Sequence, residues 1–245
     1  MMRSVFTIAE AVFFDSIRRR ILLAVLVFAG VMVAMIPSLP DYGLGVETAV
    51  FGEIALAVTF LASLVVTLGL AVTRVPSEVE RRTVYPVLAR PVARWQYLVG
   101  TWLGTFAMVG VLVAAFTGVD IAVGAVVYGR PLWLLAVGAL GIWLEMGVLA
   151  AFGIAVSTVV SPVTAIVAEA AFLFVGHSRA TLVGEEGALA LRAFYPSLDA
   201  FNIVAPVTHG NGVPLLYLVS MLVVFVGFVG VLLVIGAALF GGRDL

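Results

Sequence analysis

The sequence predicts an all-α integral membrane protein, a six-transmembrane-helix bundle preceded by an N-terminal interfacial amphipathic helix. Three observations carry that prediction. Hydrophobic residues make up 63% of the 245-residue chain and charged residues 11%, with a mean hydropathy of +1.22, whereas a soluble domain is roughly 45 to 50% apolar and about 25% charged. The apolar residues form long runs without period-two alternation, which favours helices over barrel strands. The runs extend from end to end, leaving no room for a separate soluble domain, so residues 1–245 read as one transmembrane domain.

Composition also excludes chemistry. All thirteen basic residues are arginine and the chain has no cysteine. A phosphate-binding P-loop needs a lysine, and disulfides, thiolate metal sites and cysteine nucleophiles need the missing thiols. The first apolar run follows Arg18, Arg19 and Arg20 and ends at Pro37 without a small-residue cleavage pattern, so it reads as an uncleaved span.

Residues 1–20 come first. Val5, Phe6, Ile8, Ala9, Val12, Phe13 and Ile17 recur at helical spacing beside Glu10, Asp15 and the arginine triplet, a stripe suited to lying in the membrane surface. The alternative is a cytoplasmic extension of the first span. A hydrocarbon core about 30 Å thick needs roughly 20 helical residues, which predicts spans at 21–36, 54–72, 98–119, 132–156, 163–176 and 213–240. The first and fifth are short. With both termini cytoplasmic, ten arginines face the cytoplasm and only Arg130, Arg179 and Arg192 face outward, as the positive-inside rule requires.

Residues 74–97, a cytoplasmic loop between the second and third spans, are the most charged stretch. Ser77 followed by Glu80 is a capping-box spacing, and Glu78 and Glu80 suit the positive end of a helix beginning there. Pro86 and Pro91 limit that helix to two or three turns. The competing reading is a plain charged loop whose arginines only set topology. The second cytoplasmic loop, Ser157 to Pro162, is too short for a comparable helix.

Within the spans, Glu145 and Glu169 are costly in lipid, at least about 2.5 to 3.5 kcal/mol each. They are either hydrogen-bonded between helices or line a polar pathway. Asp120 and Glu53 are expected near the outer ends of their spans. Gly100 and Gly104 form a small-xxx-small spacing for close helix approach, with chance as the competitor in so glycine-rich a chain. The extracytoplasmic segment 177–212 holds both histidines, His177 and His209. Two histidines without a carboxylate at ligand spacing make a poor metal site, and capping or packing is the expectation.

The loop resembles that of the type-2 ABC transporter permeases. Glu78, Glu80, Arg82, Thr83, Leu88, Arg90, Pro91, Arg94, Trp95, Tyr97 and Gly100 follow that family's order, with Thr101 departing from its usual lysine. FTIAEAVFFDSIRRRIL, with Asp15 and Arg18, is similar to the family's interfacial helix. FLFVGH, FYPSLDAFNI and the closing FGGRDL are similar to further patches of it. The resemblance implies a type-2 exporter-like fold and a permease subunit of an ATP-binding cassette transporter in a prokaryotic cytoplasmic (inner) membrane. It implies that the chain is not itself an enzyme and holds no cofactor, with ATP and Mg on a separately encoded nucleotide-binding ATPase subunit. Residues 77–89 would be the coupling helix, with Ser77, Glu78, Glu80, Arg81, Arg82, Thr83, Arg90, Pro91 and Arg94 as coupling residues. The other implied partners are a second permease copy or paralogue and the lipid bilayer; nucleic acid is not expected. The alternatives are a membrane-embedded enzyme with Glu145, Glu169 and His177 as acid, base and orienter, or an ion-coupled carrier, for which no internal repeat is visible.

Overall fold

The computed structural model describes residues 2–17, 27–28, 30–32, 34–35, 46–80, 93–178 and 197–242, apart from the side chains at 2, 17, 75 and 77–80. The described residues form helices α1 (Met2–Ile17), α2 (Glu47–Glu80), α3 (Arg94–Tyr128), α4 (Leu135–Ser157), α5 (Pro162–His177), a 3-10 turn at Leu198–Phe201, α6 (Val204–Thr208) and α7 (Leu215–Gly241), with no strand among them. Residues 27–28, 30–32 and 34–35 are also helical. Four of the described helices are long and apolar enough to cross a membrane: α2 as far as Arg74, α3, α4 and α7. The chain is thus a multi-pass helical membrane protein. At 1.5 Å per residue, the 16 residues of α5 reach only about 24 Å.

Helix α4 is the hub. Of its most apolar window 78% is buried, against 17% for α7. Apolar side chains gain little by leaving lipid for protein, so close backbone approach has to hold the bundle together. Glycines on α4 provide it. Gly138 receives Leu56 of α2, Gly141 the Phe201 carbonyl, Gly147 the rings of Phe106 and Phe225, and Gly153 the Glu169 carboxylate. Between α3 and α4, Trp102 Nε1 donates to the Gly147 carbonyl and Trp143 Nε1 to that of Phe106, both at 2.9 Å. The two indoles stack on either side of Phe106, with centroids at 5.2 and 4.4 Å. Each indole N–H is thereby satisfied while its ring fills the interface.

Helix α1 packs on α3, and the Gly100/Gly104 spacing is where it does so. A Cβ at Gly100 would lie 2.8 Å from Ile8 Cβ and 2.9 Å from the Val5 carbonyl, and one at Gly104 would lie 2.6 Å from Val12 Cβ. Both helices advance together along this contact, so they run parallel. Val5, Val12 and Ser16 are buried in it, while Phe6 and Phe14 point away.

Two expectations change. A new helix was expected to start at Ser77, but α2 runs unbroken through Glu80 with Pro76 inside it. A capping box needs a non-helical N-cap residue, and the backbone at Ser77 is helical. Asp120 was expected at an interfacial helix end. Helix α3 instead continues two turns beyond it, to a left-handed C-cap at Gly129 (φ 67°), and Asp120 is fully buried.

The bundle has two distinct ends. At one, Arg74 pairs with Asp15 at 3.2 Å, and Arg94 Nη1 donates to the Phe240 and Gly241 carbonyls, with its guanidinium 5.6 Å above the Phe240 ring. The arginine therefore satisfies carbonyls that the last turn of α7 leaves open, at the negative end of that helix. At the other end, Arg130 donates to Thr48 at 3.2 Å and the residue 197–214 segment folds over α2 and α4.

Candidate functional site

The helical repeat sets Gly138, Gly141, Ile142 and Glu145 on one stripe of α4. Gly138 and Gly141 admit α2 and the 3-10 turn, which brings Glu145 against both. Helix α5 then contributes its last residue, His177. A Cβ at the preceding Gly176 would lie 2.5 Å from Leu198 Cγ, so the turn seats directly on the end of α5. Tyr217 of α7 ties the turn down by donating to the Ala200 carbonyl at 2.9 Å.

These elements enclose a cavity of about 400 Å³. Leu56, Phe60, Ile142, Phe201 and Val204 form apolar walls, and Glu53, Glu145, His177 and Asn202 supply the polar groups. Glu145 is 3% exposed, at the floor, whereas His177 and Glu53 are 34% and 47% exposed. Glu145 Oε1 lies 3.4 Å from His177 Nε2 and has no hydrogen-bond partner among the described residues. The imidazole sits beside the Phe60 ring, centroids 6.3 Å apart. At the mouth, His209 Nδ1 lies 3.9 Å from Glu53 Oε1 and 2.9 Å from the Ala205 carbonyl.

Glu169 lies elsewhere. It is fully buried on α5, against Gly153 of α4 and near Ala71 of α2, and neither carboxylate oxygen has a hydrogen-bond partner among the described residues. Gly153 is eight residues along α4 from Glu145, about 12 Å at the helical rise. The acid, base and orienter trio of Glu145, Glu169 and His177 therefore does not assemble. A third buried acid, Asp120, accepts from Thr59 Oγ1 at 3.0 Å through Oδ2.

Of the coupling residues, Ser77, Glu78 and Glu80 lie in the last turn of α2 and their side chains are outside the described residues, as are Arg81, Arg82, Thr83, Arg90 and Pro91 altogether. Arg94 is described, and it bonds to the end of α7. The structure gives each histidine the carboxylate that sequence spacing withheld. Glu145 and His177 stand 32 residues apart and Thr59 and Asp120 61 apart, so no local pattern announces either pair. No group of three His, Cys, Asp or Glu side chains able to hold a metal occurs among the described residues. No known protein family and no curated protein matches this chain significantly.

Proposed function

We propose that the chain is the permease subunit of an ATP-driven transporter of the type-2 ATP-binding cassette kind, with two such subunits forming the pathway and a separate ATPase gripping residues 74–97. The observation that carries this reading is the ordered run of charged and proline residues in that loop, together with the two helices that bear it. At 34 and 35 residues, α2 and α3 are each about 51 to 53 Å long, roughly 20 Å more than the hydrocarbon core requires. Both pack on α4, and Arg94 fastens the start of α3 to the end of α7. A push on the loop would reach the bundle through stiff helices at both ends. In this reading residues 21–36 and the short α5 would complete six spans, with both termini and ten of thirteen arginines in the cytoplasm.

The unbroken α2 alters the form of the joint. The coupling element would be the end of a long helix and the residues just beyond it, rather than a separate helix capped at Ser77. Charged pairs suit such a water-accessible, transient contact. The test is co-expression with the ATPase encoded beside it, followed by co-purification. The Glu80→Ala/Arg82→Ala double variant is expected to lose the ATPase while the permease still folds; full retention of the ATPase would defeat the coupling assignment.

The buried acids favour a second reading, an ion-coupled carrier, because Asp120, Glu145 and Glu169 all lie inside helices. It predicts transport that dissipates with the proton or sodium gradient and survives loss of the ATPase. The permease reading predicts the reverse in the same vesicles.

A further inference from the structure

We propose that the cavity between α2, α4, the end of α5 and the 197–204 segment binds a lipophilic organic cation. Its volume, about 400 Å³, falls within the range of roughly 300 to 1,000 Å³ typical of small-molecule sites. Its walls are aliphatic and aromatic, and its polar groups are graded from a buried carboxylate at the floor to a half-exposed one at the mouth.

Charge selects the ligand. Glu145 and Glu53 both line the cavity; among its described lining residues the one basic group is His177, His209 stands beside Glu53 at the mouth, and no arginine takes part. Lysine is absent from the chain altogether. Asp199, in the turn that closes the cavity, adds a further acid nearby. An anion entering here would meet two carboxylates in an apolar setting.

The floor is incompletely satisfied. Glu145 is 3% exposed and its Oε1 accepts no hydrogen bond from the described residues. Its 3.4 Å separation from His177 Nε2 exceeds the roughly 2.7 to 2.9 Å of a strong charge-assisted bond. A cation with an apolar body would complete that carboxylate's electrostatics, bury its own surface against Leu56 and Ile142, and present its charge to the Phe60 and Phe201 rings.

The experiment measures binding of radiolabelled tetraphenylphosphonium to the full chain in lipid nanodiscs, with tetraphenylborate, the same shape carrying the opposite charge, as competitor. The unaltered chain is expected to bind the phosphonium saturably and to ignore the borate. Glu145→Gln should weaken binding at least about tenfold, and Glu53→Gln, at the wetter mouth, about threefold. Glu10→Gln removes the same charge from the exposed face of α1 and should change nothing. Absence of saturable binding, effective competition by the borate, or unaltered affinity in Glu145→Gln would overturn the proposal. Should Glu145→Gln fail to fold, Glu53→Gln decides in the same way. The assay needs no ATPase, so failed binding would leave the permease reading standing, and failed co-purification would leave this site standing.

Discussion

Glu169 and Gly153 show how a single residue choice makes room for a costly neighbour. The carboxylate occupies the space that a side chain at position 153 would fill, and that same Cβ would lie 3.1 Å from Ala71. Gly153→Ala therefore overpacks the α2, α4 and α5 junction, and a loss of about 1 to 3 kcal/mol is expected. Shortening the acid should restore the space, so Gly153→Ala/Glu169→Ala should be less destabilised than the sum of the singles. Thermal unfolding in detergent measures all three variants. The Thr59 and Asp120 pair behaves differently because it is joined by a hydrogen bond of 3.0 Å. Thr59→Val and Asp120→Ala each leave a buried polar group unpaired, and their cycle should return a coupling near the ~0.6 kcal/mol typical of interhelical bonds in membranes, with a ceiling of about 1.7.

At the scale of elements, α1 depends on the notch in α3 that Gly100 and Gly104 create. Gly104→Leu fills it and should release α1. Because the chain has no cysteine, a Val12→Cys background offers a clean readout: Val12 is 3% exposed, so its thiol should resist maleimide until Gly104→Leu is added. A helix resting only on the membrane surface would leave that thiol equally reactive in both backgrounds. The same elements show where sequence reasoning succeeds and where it stops. Long apolar runs mark α2, α3, α4 and α7 because the bilayer demands that length and composition. The end of α2 escapes such reasoning because a Ser-x-x-Glu spacing and a proline are local signals, and the helix continues past the apolar stretch through Pro76 to Glu80. The cavity is hidden in the sequence for a different reason. Glu145, His177 and Phe201 converge only after glycines on α4 and α5 let the turn descend onto the bundle, and sequence spacing carries no trace of that contact.

For the molecule as a whole, the contacts show which helix ends lie together. Arg74 and Arg94 share one end of the bundle with the last turn of α7, and Arg130 sits at the other with the start of α2. Of these three described arginines, two lie at one end and one at the other, and α2 and α3, which carry Arg74 and Arg94, run antiparallel. A topology in which one apolar run from α3 to α7 failed to span would separate Arg94 from Gly241 by the membrane thickness, yet they are bonded at 2.9 Å. The proposed orientation, taken from the charge bias, puts the Arg74 and Arg94 end in the cytoplasm. Single cysteines at Asn211 and Gly242, both exposed and at opposite ends of α7, read this directly. In intact spheroplasts a membrane-impermeant maleimide should label Asn211→Cys and spare Gly242→Cys until the membrane is opened. The inverse pattern would place residues 74–97 outside the cell, away from any ATP, and the coupling reading would fail with it.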